Sequence, residues 1–166
     1  VLHWVREPDA AIACIRDALK IGGRFVAEFG GNGNIKTIYT ALTQALIEMG
    51  FVESEEQVRA LNPWYFPSVS DYTTRLERQG FEVSYAALFD RPSALEGESG
   101  LANWLEMFAD RFFIGLSQQQ RSTVIQSVEN RLRSILYREG NWFADYRRIR
   151  TLSDLRYSNF QVNEVR

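Results

Sequence analysis

The chain has 166 residues, 45% of them hydrophobic and 24% charged, with a net charge of −2. That is long enough to bury one core, and the balance is that of a globular domain and not of a disordered segment or a basic nucleic-acid binder. No apolar run nears the roughly 20 residues of a bilayer span, no signal peptide is visible, and a lone Cys14 excludes an internal disulfide, so a reducing, cytoplasmic setting with a buried structural thiol is expected.

The opening string, VLHWVREP, enters with large apolar residues and no polar lead-in. It reads as the end of a strand or core segment whose upstream part is absent, so the expectation is a fragment. Pro8 suits the first turn of a helix, where its missing N–H costs nothing. Ala11, Ile12, Ile15, Ala18 and Leu19 recur at helical spacing until Gly22-Gly23 ends the pattern. The next string, RFVAEF, is apolar at both alternations and predicts a central strand covered on both sides. Beyond it, Asn34 is placed to cap a helix whose stripe runs through Ile35, Ile38, Tyr39, Leu42, Leu46 and Met49 to Gly50.

A short helix is expected from Ser54 to Leu61, with Ser54 and Gln57 at capping-box spacing. The prolines of NPWYFP hold their neighbours extended. Ser70 is the expected cap of a helix carrying Tyr72 and Leu76 and stopped at Gly80, and FEVSYAALF alternates as a strand. Two helices follow, over 101–113 and 117–137, the second opened by Ser117 and Gln120. YRRIRTL alternates weakly, which suggests an exposed or edge strand, and the end of the chain lacks periodicity and predicts poor order. The whole reads as α/β.

Gly31-Asn32-Gly33-Asn34-Ile35-Lys36 falls one residue short of the dinucleotide fingerprint G-x-G-x-x-G, because Lys36 stands where the third glycine should be. Glu53 and Glu55 lie about 20 positions on but within an acid-rich run, where such a match is cheap. The stretch reads either as a tight strand-to-helix turn or as a backbone anion site at a helix N-terminus. A module binding NAD through this loop is the weakest reading.

The strings LHWV, AEFGGNGN, NPWYFPSVSDY, DRPSALEG and WFADYRRIR, in this order and spacing, resemble the carboxyl-terminal portion of class I S-adenosylmethionine-dependent methyltransferases of the trans-aconitate methyltransferase-like group. The resemblance covers roughly Val1 to Arg150. It implies a partial Rossmann-like sheet: Leu2-His3-Trp4-Val5 ends strand four, RFVAEF is strand five, FEVSYAALF strand six and YRRIRTL an antiparallel strand seven. It makes 1–155 the carboxyl-terminal part of a methyltransferase domain, with 95–140 as a helical insertion covering the substrate and 156–166 as a tail. The family's glycine-rich loop after strand one and the acid after strand two precede the matched region, so the main cofactor-binding half is absent. The cofactor implied is S-adenosylmethionine, and the partner a small-molecule methyl acceptor of the carboxylate kind.

The resemblance places His3, the one histidine, at the junction of cofactor and acceptor, as a catalytic or cofactor-contacting group or as a packed strand-end histidine. Trp4 is pocket wall or core. Glu28 faces the site or pairs with Arg147 or Arg148. Gly30 and Gly31 lie on the acceptor-side loop. Trp64, Tyr65 and Phe66 in NPWYFP form an aromatic lid or pin the loop to the core. Tyr146 and one of Arg147 and Arg148, which alternate in an extended strand, are candidates to hold an acidic acceptor, because a guanidinium fork matches a carboxylate. The competing expectation is a truncated, non-catalytic chain that pairs with a second copy through an exposed strand-five edge.

Overall fold

A computed structural model of the chain describes residues 2–156. Its elements in order are a 3-10 turn at Leu2–Trp4, α1 (Pro8–Ala18), β1 (Arg24–Gly30), α2 (Lys36–Glu48), α3 (Glu55–Leu61), α4 (Val69–Arg78), β2 (Phe81–Asp90), β3 (Ser93–Leu95), α5 (Gly100–Phe108), a second 3-10 turn at Asp110–Phe113, α6 (Gln118–Leu136), β4 (Tyr137–Arg138), β5 (Asn141–Ala144) and β6 (Arg147–Leu155). The α/β class expected from the sequence is what forms. The chain divides into two compact units: Val1–Asn32, Trp64–Phe89 and Arg147–Arg166 make the first, and Gly33–Pro63 with Asp90–Tyr146 the second.

The first unit is built on a sheet of order β1-β6-β2, with β1 and β6 antiparallel from Arg24↔Asp154 to Gly30↔Arg148. Alternation sends Ala27 and Phe29 of β1, and Ile149 and Leu155 of β6, into one face. There they meet Ile12 of α1, Tyr72 and Leu76 of α4 and Phe81 of β2 in a single buried cluster. Phe29 packs edge-on against Tyr72 with ring centroids 4.9 Å apart. The other face of the same strands carries cross-strand ion pairs, Arg24 with Asp154 at 3.3 Å and Arg150 with Glu28 at 2.5 Å.

Several expectations are corrected here. The segment YRRIRTL is not an edge strand: β6 lies between β1 and β2, and Ile149, Thr151, Ser153 and Leu155 are buried. β1 is not covered on both faces, since Val26 is 60% exposed. Cys14 is exposed, because α1 turns only Ile12 fully inward. α4 is capped by Ser68, whose hydroxyl accepts from the Asp71 N–H at 3.0 Å, and not by Ser70. Leu2–Trp4 forms a 3-10 turn and no strand. At the other end the chain keeps strand geometry to Leu155, and the Arg156 N–H donates to the Gly80 carbonyl at 3.0 Å; the rest of the expected tail lies outside the described residues.

The second unit holds α2, α3, α5, α6 and a small sheet of order β3-β5-β4. Residues 95–140 belong to it together with α2 and α3. That segment is not wholly helical, because Tyr137 closes α6 and opens β4. The helix expected over 101–113 is α5 followed by the 3-10 turn. The capping boxes follow the sequence in part. Ser117 and Gln120 bond reciprocally at the start of α6. Ser54 caps α3, while the Gln57 side chain accepts from the Glu53 N–H and not from that of Ser54.

Candidate functional site

The glycine turn is the natural place to look for an anion cradle, which needs several backbone N–H groups left over for a ligand. In the first unit the Gly30 N–H donates to His3 Nδ1 (3.5 Å), that of Gly31 to the Arg147 carbonyl (3.0 Å) and that of Asn32 to the Pro67 carbonyl (2.8 Å). In the second unit α2 starts after Ile35, which sits at φ 52 and carries no side-chain cap, so Asn34 is not the N-cap the sequence suggested. Asp145 does that work: its carbonyl accepts from the Ile35 N–H at 3.1 Å, and its carboxylate from the Thr37 N–H at 2.6 Å. A side chain of the protein thus occupies the helix end where a phosphate would sit. The N–H groups of Gly30, Gly31, Asn32, Ile35 and Thr37 are thus engaged within the chain.

Gly31 has a packing reason to be glycine. A Cβ there would lie 2.6 Å from Leu88 Cδ1, 3.0 Å from Ile149 Cβ and 3.1 Å from the Ile149 nitrogen. β1 can run this close to its neighbours only because the residue has no side chain.

Around the end of β1 the first unit gathers most of the residues singled out in the sequence. His3 lies 5.9 Å from both Trp4 and Phe66 between ring centroids; Trp64 stacks on Phe66 at 5.9 Å and meets Trp4 edge-on at 5.8 Å. The segment NPWYFP is tied down rather than loose. The Tyr65 N–H donates to the His3 carbonyl at 2.8 Å and the Tyr65 hydroxyl to Asp71 at 2.6 Å, so burial and this carboxylate push the Tyr65 hydroxyl well above its usual range. Tyr65 is therefore a pin, with Arg75 over its ring, and Trp64 and Phe66 are the rings that flank the edge.

His3 is held neutral. Burial first, with the Arg148 guanidinium acting in the same direction, brings its pKa down to about 4. Its Nδ1 accepts the Gly30 N–H, which puts the proton on Nε2. An imidazole in this state offers a hydrogen bond and is a weak base.

Glu28 has an arginine partner on the neighbouring strand. Its carboxylate takes the Nε and Nη2 of Arg150, its cross-strand partner, at 2.7 and 2.5 Å. Arg148 is the register partner of Gly30, on the face shared by Glu28 and Arg150, and Arg147 alternates to the face of Ile149. Tyr146 lies in the second unit, where its hydroxyl accepts from Trp104 Nε1 at 2.7 Å and its carbonyl from the Arg91 N–H. A polar groove of about 670 Å³ along α6 in that unit, lined by Gln119, Ser122, Gln126 and Asn130, offers amides and hydroxyls, and its Arg131 is engaged by Glu48. Sequence reasoning missed Asp145. For Asp145 the available signal was an acid just before the strand; nothing in the sequence linked it to a helix more than 100 residues away.

No family model matches the sequence. A curated but uncharacterized methyltransferase of Schizosaccharomyces pombe is 34% identical over 154 residues, covering 90% of this chain and 57% of its own length. The chain therefore spans a little over half of the curated relative it matches. Among solved structures, a candidate methyltransferase of Bacillus halodurans C-125 superposes with a TM-score of 0.51 at 13% identity, over 94% of this chain and 66% of the other. The YcgJ protein of Bacillus subtilis follows at 0.49 and 12% identity, over 94% of this chain and 61% of its own. The sequence is homologous to a methyltransferase, and its α/β fold, with β1, β6 and β2 side by side, is that of methyltransferase structures.

Proposed function

We propose that this chain forms the acceptor side of an S-adenosylmethionine-dependent methyltransferase of the trans-aconitate methyltransferase-like group, acting on a small-molecule carboxylate. The observation that carries the reading is the set His3, Trp4, Trp64 and Arg148 around the end of β1, in a chain homologous to a methyltransferase. Moving a methyl group from a sulfonium to an ionised carboxylate forms one C–O bond and breaks one C–S bond, and the electron pair stays on sulfur. No proton has to move, so positioning and exclusion of water do the work. A neutral His3 suits that chemistry: it orients, and it withdraws no proton. Trp4 and Trp64 supply apolar walls, and Arg147 or Arg148 the charge that complements the acceptor. Glu28, held by Arg150, shapes the rim.

The test is calorimetric titration of the chain with a panel of small carboxylic acids, beside S-adenosylmethionine and NAD. Heat with a carboxylic acid and none with NAD is the expected result for an acceptor side. Calorimetric heat with NAD and none with S-adenosylmethionine would overturn the reading in favour of the dinucleotide module.

One observation favours a second reading, a non-catalytic chain that pairs with a second copy. In the described sheet β1 is an end strand, and Val26 on it is 60% exposed. Open strand edges invite pairing. A dimer mass by light scattering that Val26→Lys converts to a monomer supports this second reading.

A further inference from the structure

Within the first unit the segment from Trp64 to Asp71 closes on itself. Pro67 keeps Phe66 extended, and extended backbone sends alternate side chains to opposite sides. Trp64 and Phe66 accordingly lie nearly parallel, 13° apart in plane, beside Trp4 and His3. Tyr65 instead reaches α4, where its hydroxyl donates to Asp71 Oδ2 at 2.6 Å. The other carboxylate oxygen, Oδ1, accepts from Arg75 Nε at 3.1 Å, and Arg75 Nη1 donates in turn to Asp9 of α1 at 2.5 Å. The Asp71 main-chain N–H is held separately, by the Ser68 hydroxyl. Two backbone bonds fix the path of the segment, from the Tyr65 N–H to the His3 carbonyl and from the Asn32 N–H to the Pro67 carbonyl.

We infer that Asp71 is a positioning residue for the acceptor: by holding the Tyr65 hydroxyl on α4 it turns Trp64 and Phe66 toward Trp4 and His3, and so sets the apolar wall of the site. A carboxylate suits the task, because a hydrogen bond to an ionised oxygen is roughly twice as strong as a neutral one. Its second oxygen is anchored by Arg75, which keeps the first from swinging away. Burial and the carboxylate push the Tyr65 hydroxyl well above its usual range, so it stays protonated and remains the donor. Asp71 acts through Tyr65, and its assignment rests on the acceptor-side reading given above.

The chain has four tryptophans, so labelling with 5-fluorotryptophan gives one ¹⁹F signal for each of Trp4, Trp64, Trp104 and Trp142. Trp64→Phe identifies the Trp64 signal, and thermal unfolding verifies that each variant folds. Asp71→Leu and Tyr65→Phe should shift that signal in the same direction, and the double variant should shift it no further. Asp71→Asn keeps an oxygen for the Tyr65 hydroxyl and should hold the signal near its wild-type position. Asp9→Asn loosens the same network at α1 and should leave the signal in place. Should Asp71→Leu fail to fold, Tyr65→Phe removes the same bond and carries the test. A Trp64 signal unmoved by loss of that bond, or moved as far by Asp9→Asn or Asp71→Asn, would overturn the assignment. Benzoate is the acceptor probe: it should shift Trp64 in the wild type and bind Tyr65→Phe about 3- to 10-fold more weakly, the worth of one hydrogen bond. Benzoate without effect on Trp64, in a chain where Asp71→Leu still moves the signal, would sink the acceptor-side reading and leave the clamp standing.

Discussion

The two faces of the β1–β6 pair are made by the same strands and stabilised in different ways. On one, Ala27, Phe29, Ile149 and Leu155 are buried against α1 and α4. On the other, Arg24 pairs with Asp154 and Glu28 with Arg150, while Val26 between them stays exposed. The first face removes apolar surface from water, which is the larger source of stability. The second holds ion pairs that are part-exposed and so screened. The contrast teaches that the packed face carries the fold and that the charged face is free to vary its chemistry along the strand, up to Arg148 at its end.

The strongest way to break this contrast is Phe29→Ala, which should cost about 3–5 kcal/mol through lost burial and an unfilled cavity, read as a fall in the urea midpoint. If it costs no more than a change on the charged face, the packed face does not dominate. Gly31→Ala comes next. Its Cβ would press on the backbone of Ile149 as well as on the Leu88 side chain, and crowding of this kind costs about 1–3 kcal/mol. An increase in stability would mean that β1 and β6 are less closely set than described.

His3 tests the end of the strands, where neither regime holds. Its folded pKa of about 4 lies below the ordinary histidine value of 6.5, so the unfolded chain binds more protons between those values. The fold therefore gains stability as pH rises from about 4 to 6.5 and loses it as pH falls through that window. His3 is half-buried, so the effect should be about 1 kcal/mol or less. The check is the difference in urea midpoint between wild type and His3→Gln at pH 7 and pH 4.5, because the carboxylates titrate in both proteins. An unchanged difference would mean that His3 is not held neutral.

The smallest effect is expected on the charged face. A double-mutant cycle of Glu28→Gln and Arg150→Gln should give a coupling of about 0.2–1 kcal/mol. A value as large as that of a buried pair would show this face to be dry, and would erase the contrast.

Much of this was legible from the sequence. Glycine and proline punctuation located α1, β1 and α2, and the spacing of Ser117 and Gln120 announced the start of α6, because helix ends and capping are local chemistry. Strand β6 was misread for a physical reason: Thr151 and Ser153 count as polar in a pattern, yet both are fully buried between the strands. Cys14 was misread the opposite way, as a hydrophobe in a helical stripe of which only Ile12 turned fully inward.

By itself, the sequence determined the class of fold, the resemblance to methyltransferases and the set of aromatic and basic residues at stake, since these depend on residue type and near-neighbour spacing. Tertiary structure alone decided the pairings. Asp145 caps α2 from more than 100 residues away, Arg150 takes Glu28 across the strand pair, and Arg148 comes to face Gly30. Register between strands far apart in the chain is set by the packing of a whole face at once, and no local pattern records it. The glycine turn follows the same rule: its motif resembles a phosphate loop, and its hydrogen bonds make it a strand-to-helix turn bound to its own chain.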